Sequence, residues 1–462
     1  MVLMLIGAHP ILRMGSMQAI IIALHDNRYL RQLTHPGVVG QLPISNEHTI
    51  LSLLLKNFAE VGVAKPIVVC RPHQSEEIKR CLPPNTNCDI IEVRGKATIA
   101  ECLLGCVDKL VGAYGGRYIC VTYDDFVITK NVIQDIFKKL CRNNSYFGAV
   151  ISPFSRDPAF RDHPTDIIML DENDNLAHYI PNAKKQFEIP QSLKQKKLNI
   201  RSDLHDSGFY LITGLCYKML EDNKALYTFV VRNNEPKQFF TDIVNKLQYN
   251  PVEFTIIDQS RIGGIAGMIA LTKNAPPNFK IPDVMIKCMQ ELCPERFEKQ
   301  YCKASALIVE DAVICRRIES FQSYLDAVKQ IRAAGKHGQR PQGRKKPKDS
   351  GDEVVKTATI FDSDIGDDCA IASSADIRSS FIGRNCIIGE NVRIHGCVVL
   401  AGTTISPDTR LTNCLVGEEA KIGRDCNLTS TSVARDHKVS SNTTLENDLV
   451  GFSEIDFDEL VL

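Results

Sequence analysis

The sequence predicts a chain of two main domains, an α/β domain built on a doubly wound parallel sheet and then a parallel β-helix of hexapeptide repeats. Three observations predict this. From Gln18 to Ser152 short apolar strands alternate with amphipathic helices. From Ile365 to Val450 an aliphatic residue recurs at steps of six, six and five. Between these regions, Ala333 to Glu353 loses its apolar content and gains Gly, Pro and charge.

Residues 1–17 read as an N-terminal extension. Met1 to Gly7 is apolar but lacks a basic n-region and is short for a signal peptide, and Met17 is an alternative start. Gln18 to Leu24 (QAIIIAL) is a buried strand by composition. His48 to Val61 then places Ile50, Leu51, Leu54, Leu55, Phe58 and Val61 on one helical face. The alternation continues with strands at Ile67 to Cys70, Asp89 to Val93, Tyr118 to Thr122 and Phe147 to Ser152. Helices at Gln74 to Arg80, Thr98 to Leu110 and Asn131 to Cys141 lie between them. Repeated βα units with near-continuous apolar strands imply a parallel sheet covered on both faces.

Beyond Pro153, Asp166 to Leu170 and Leu176 to Ile180 flank the polar loop Asp171-Glu172-Asn173-Asp174-Asn175, a hairpin pattern. Ser207 to Thr213 and the apolar run Ala304 to Val309 read as strands, and Phe239 to Leu247 and Ser320 to Ile331 as helices. The first domain therefore spans 18–332. Residues 333–358 form a flexible linker. Its basic part, Arg340 to Lys348, has no aromatic residue interleaved for base stacking, so it reads as solvated linker and no direct contact with nucleic acid is expected.

The β-helix spans 359–453. Sixteen aliphatic residues from Ile365 to Val450 fall into three series with a constant step of 17, such as Ile382, Val399, Val416, Val433 and Val450. Neither the 3.6-residue period of a helix nor the two-residue period of a strand explains that beat, whereas three short strands per coil do. Four residues after the ladder positions stand small side chains such as Cys369, Ala375, Cys386, Thr403 and Ala420, suited to the remaining inward space. Within the five-residue step, two residues after the ladder residue that begins it, stand Ser379, Gly396, Asn413, Ser430 and Asn447, turn formers for a tight corner. Residues 454–462 are a tail whose acidic stretch Glu454 to Glu459 (EIDFDE) caps the last coil or meets a partner.

Lys plus Arg equals Asp plus Glu at 55 each, so no global field draws the chain to nucleic acid or membrane. Seventeen cysteines form no CxxC pair and lie mostly in apolar stretches, which fits buried reduced thiols and a cytosolic compartment rather than disulfides or zinc. No run is long enough to span a membrane.

In a doubly wound sheet, ligands bind beyond the carboxyl ends of the strands. The loop after Leu24 and the pair Asp124-Asp125 occupy that place. The element order, with the trailing hexapeptide helix, resembles the nucleotidyltransferases that make sugar nucleotides. Those enzymes have a glycine-rich loop with an Arg after the first strand and a Lys-Pro further on. Here the loop reads Leu24-His25-Asp26-Asn27-Arg28-Tyr29-Leu30, with no glycine until Gly37, and Val39-Gly40 stands at the Lys-Pro position. The resemblance leaves Asn27, Arg28 and Asp124 as a vestigial nucleotide pocket, Asp124 matching the family's magnesium-binding Asp. Asp26 puts a carboxylate where phosphates would sit, a repulsion of about 1 kcal/mol at contact. Transfer chemistry depends on positioning and charge neutralisation, so the expectation is a retained fold, lost catalysis, and no cofactor or catalytic metal. The alternative is an active sugar-1-phosphate nucleotidyltransferase using Asp124. Hexapeptide helices also build acyltransferases with a His base. Here His395 is expected to point outward and His437 inward, and no long loop interrupts the coils to cover an acyl donor.

The combination of spoiled loop, linker and short hexapeptide helix resembles the gamma subunits of eukaryotic translation initiation factor 2B. The signposts are QAIIIAL with Arg28 and Leu33-Thr34, Val61-Gly62 before a Val-Val strand, DLHDSGFYLITGLCYKML from Asp203 to Leu220, and SSFIGRNCIIGE from Ser379 to Glu390. The resemblance implies a nucleotidyltransferase-like domain joined to a left-handed β-helix. It also implies a non-catalytic subunit that pairs with the epsilon subunit and helps bind translation initiation factor 2 for GDP/GTP exchange. The epsilon subunit adds a C-terminal helical-repeat domain, and the sequence ends at Leu462, about twelve residues past the last coil, which points to gamma.

Overall fold

The computed structural model describes residues 17–24, 30–34, 38–63, 65–82, 86–94, 99–106, 109–110, 118–143, 145, 147–153, 166–180, 197–214, 252–256, 268–271, 298–301, 304–309, 315–318, 320–336 and 358–451. The loop residues Asn27 and Arg28, the expected helix Phe239 to Leu247, the basic cluster Arg340 to Lys348 and the tail Glu454 to Glu459 lie outside them. The chain divides into two compact units: 1–25, 54–75 and 83–317, and 26–53, 76–82 and 318–462.

In the first unit the strands are β1 (Met17–Ala23), β2 (Ile67–Cys70), β3 (Asp89–Glu92), β4 (Tyr118–Tyr123), β5 (Phe126–Ile128), β6 (Phe147–Pro153), β7 (Ile167–Leu170), β8 (Leu176–Ile180), β9 (Asn199–Arg201), β10 (Leu204–Thr213), β11 (Val252–Ile256), β12 (Met268–Leu271), β13 (Glu298–Tyr301), β14 (Ala304–Ile308) and β15 (Cys315–Arg317). The main sheet runs β14-β6-β10-β4-β1-β2-β3. β1 pairs in parallel with both β2 and β4, so the winding reverses between β1 and β4, the topological switch of an open α/β sheet. Every residue of β1 and β2 is buried, as their unbroken apolar runs require, whereas β3 at the edge is half exposed. Met17, assigned from sequence to the extension, is the first residue of β1. It pairs with Tyr118 and is 1% exposed, because its apolar side chain fits the same buried face as its neighbours.

The sheet is not wholly parallel as expected. β10 runs antiparallel to both neighbours, β4 and β6. Composition does not register this difference, because strand direction is set by the connection that delivers the strand and not by its apolar content. The expected hairpin is present: β7 and β8 pair antiparallel, and Asp171 Oδ1 accepts the backbone N–H groups of Asn173 and Asn175, both at 2.8 Å. This Asx geometry is why a polar loop is needed there.

The helices are α1 (Arg31–Thr34), α2 (Ile50–Glu60), α3 (Pro72–Cys81), α4 (Ile99–Leu104), α5 (Lys130–Arg142) and α6 (Phe321–Lys336). Two begin with reciprocal side-chain caps. At α2, Ser52 N donates to Thr49 Oγ1 at 3.2 Å while Thr49 N donates to Ser52 Oγ at 2.8 Å. Ser320 and Ser323 do the same before α6. α6 runs four residues into the stretch assigned as linker, since Ala333, Ala334 and Lys336 favour a helix and Gly335 alone costs only about 1 kcal/mol. No described helix is long and apolar enough to cross a membrane.

The coils, 358–451, form three sheets of parallel strands, two of six strands and one of five. Each strand pairs with the one 17 residues on, as Ile377 with Ile394 and Ile394 with Leu411. All sixteen ladder residues lie in or against one core cluster. Ile360 is a further rung missed in the sequence, paired with Ile377 in the first described coil and 40% exposed. The anticipated corner is left-handed at Asp362, Ser379, Gly396, Asn413, Ser430 and Asn447, with φ between 48° and 66°. The other two corners use the same device, at Asp368, Asn385, Gly402, Glu419 and Asp436 and at Asn391, Asp408, Asp425 and Asn442. Short polar side chains tolerate this region best among non-glycine residues. Among the described residues the cysteines are free thiols, and burial pushes those of Cys102, Cys106 and Cys386 up to about 12.

Candidate functional site

The carboxyl ends of β1 and β4 meet where the sequence placed a crevice. Asp124 follows β4, its backbone N–H donating to Ile22 O at 3.2 Å, and its side chain is buried. Asp125 is 1% exposed and begins the turn into β5. Because β5 pairs antiparallel with β15, Arg317 is brought beside it from 192 residues along the chain. The guanidinium is bidentate, with Nε 3.0 Å from Oδ1 and Nη2 2.7 Å from Oδ2. It also stacks on Tyr123, 4.2 Å from the ring centroid.

β10 closes this cluster. The β6–β10 register shifts between Asp206 and Phe209, and Gly208 in that bulge has φ +82°. A Cβ there would sit 2.9 Å from Arg317 Cδ and 3.1 Å from the Tyr123 ring, so both conformation and space demand glycine. Asp206 accepts the Gly208 N–H at 3.0 Å and the Tyr210 hydroxyl. Burial raises the Tyr123 and Tyr210 phenols well above their ordinary range, so both stay protonated.

A site for nucleotide phosphates needs uncommitted cations and backbone donors. Here the described guanidinium is spent on Asp125 and Tyr123. A magnesium ion would need several oxygen ligands. Asp125 is held by Arg317, and among the described residues no three His, Cys, Asp or Glu side chains come together as ligands. Arg317, Tyr123 and Gly208 were missed by sequence reasoning, and only the glycine in DSGFYL carried a local signal.

The coils present three outer faces. In two-residue strands the residue beside each ladder position points outward. On one face these are Phe381, Val398 and Leu415, yet each is at most 1% exposed, so this part of the face is covered and not open to solvent. α6 belongs to the second compact unit, with Tyr324, Leu325, Ala327 and Val328 buried. Lys329 Nζ lies 3.5 Å from Asn413 Oδ1 and Arg332 Nη2 3.6 Å from Asp362 Oδ2, so the helix lies beside one corner of the coils. The apolar residues at 381, 398 and 415, again 17 apart, were the available signal. The other two faces are largely exposed. His395 is on one of them, outward as expected, while His437 is half-buried at a corner against Gly451.

Residues 350–448 match the family model described as the EIF2B subunit epsilon LbH domain, LbH denoting a left-handed β-helix. This region is therefore similar to the left-handed β-helix of EIF2B subunits, and its three sheets of parallel strands fit that description. The match covers the coils and not the α/β unit. No curated protein matches the chain.

Proposed function

We propose that the chain is a non-catalytic, gamma-type subunit of the cytosolic exchange factor for translation initiation factor 2. In this reading it pairs with an epsilon-type subunit and helps hold the factor for GDP/GTP exchange. The carrying observation is the EIF2B match over the coils. A loop without glycine after Leu24 and a guanidinium already committed to Asp125 support the loss of catalysis. The exposed apolar side chains Ile360 and Phe361 in the first described coil also support a subunit role, since such surface is stabilised by a partner. Affinity purification from cells tests the proposal. An epsilon-like partner and the other exchange-factor subunits are expected to copurify, and a free homotrimer without them would refute it.

A second reading, an active sugar-1-phosphate nucleotidyltransferase, is favoured by one observation, the buried Asp124 at the switch of the sheet. It requires release of pyrophosphate from a nucleoside triphosphate and a sugar phosphate with Mg²⁺. Turnover abolished by Asp124→Asn would establish it, and no turnover would leave the scaffold reading in place.

A further inference from the structure

One exposed face of the coils carries stacked cations. Its strands place Asp376, Arg393, Arg410 and Asn427 in one in-register column and Arg378, His395 and Thr412 in the next. Arg393, His395 and Arg410 are all exposed. Parallel neighbours lie about 4.8 Å apart, so Arg393 and Arg410 stand one directly above the other. Asp376 is engaged by Arg378 at 2.8 Å, and among the described residues neither Arg393 nor Arg410 has an ion pair.

Like charges directly opposite on a sheet are destabilising. The fold does not require them, because the same column carries Asn427 and Thr444 in the following coils. The cations are therefore available to an anionic partner. Residues 358–451 as a whole contain thirteen acidic and eight basic residues, a net charge of −5. A long polyanion such as RNA meets that net repulsion along its whole length. A short acidic segment sees mainly the charges within a Debye length of about 8 Å, where Arg378 is offset by Asp376 and Arg393 and Arg410 are the cations left without an ion pair.

We propose that this face is a docking strip for a short acidic peptide segment of a partner protein, with Arg393 and Arg410 as paired carboxylate contacts and Arg378 and His395 at their side. The proposal is independent of which complex the chain enters. It is tested with the full chain by fluorescence anisotropy, using a labelled peptide of about eight residues that alternates Glu and Thr, at about 150 mM salt. An otherwise identical Gln-Thr peptide and an RNA oligomer of equal charge serve as comparisons. Selective binding of the Glu peptide is expected, and it should weaken about tenfold in the Arg393→Asn, Arg410→Thr double variant. Each single variant is expected to weaken it about threefold, which keeps the test available if the double variant does not fold. Lys421→Thr with Lys438→Thr, on the other exposed face, is expected to leave it unchanged. No binding, equal loss in the lysine variant, or unchanged affinity in the arginine variants would overturn the proposal. So would tighter RNA binding lost with the two arginines, which would make the strip a nucleic-acid surface instead.

Discussion

The β-helix repeats one left-handed corner device coil after coil, whereas in the α/β unit the described left-handed residues are few and each serves its own local turn or bulge. Thirteen non-glycine residues of the coils hold positive φ, each at one tight turn. In the α/β unit Gly208 alone accommodates both the Arg317 stem and the Tyr123 ring, beside an ion pair joining residues 192 apart. In a solenoid each coil contacts only its neighbours, so a fault stays local and its cost is modest. A buried charge pair ties distant segments together and fails as a whole when one partner is lost.

Substitutions in both regions test this contrast. Arg317→Ala is expected to have the largest effect, lowering stability by about 3–5 kcal/mol in denaturant unfolding, because Asp125 is left charged and buried. Replacing both partners, Arg317→Met with Asp125→Leu, should recover most of it, and a single variant costing less than about 1 kcal/mol would show that Asp125 is not held by this contact. In the coils, Ile394→Ala should cost about 3 kcal/mol and Ile360→Ala less than about 1, since the first is 1% and the second 40% exposed. Equal losses by calorimetry would mean that the first coil is covered.

Asn385→Ala, at φ 57°, should cost about 1 kcal/mol through backbone strain, and Asn385→Gly should cost no more than that. The smallest effect belongs to Glu418, whose carboxyl is pushed up by burial against the opposing pull of Arg435. A raised folded-state pKa binds the proton more tightly in the native chain. This group's contribution is therefore fully present below its unfolded pKa and lost as pH rises through the folded one. Glu418→Gln should stabilise slightly at neutral pH and not at acid pH, and the same increment at both would exclude the burial effect.

Much of the β-helix was legible because every coil solves the same packing problem, so its answer recurs at a step of 17. The corner at Ser379 and Asn413 was read for that reason. The corners at Asn385 and Asp408 were overlooked although their polar residues recur equally often. Phe381, Val398 and Leu415 were hidden by the assumption that residues beside the ladder face water. In the α/β unit the buried strands β1, β2 and β4 announced themselves by composition, but the direction of β10 did not, since a strand reads alike in either sense. Of the candidate site, Asp124 was legible as a residue ending a strand. Arg317 was not, because its meeting with Asp125 depends on the pairing of β5 with β15 and leaves no local pattern. Asn27 and Arg28 lie outside the described residues.

The pairing of each strand with the one 17 residues on makes the length of the solenoid a quantised quantity. A whole coil removed between Asn385 and Gly402 would bring one left-handed corner onto the next with every rung still inward. A loss of one residue more or fewer would turn the following strands inside out. The fold therefore admits growth and shrinkage by whole coils while penalising any intermediate step, a ratchet through which such a domain can match its reach to its neighbours without redesigning its interior.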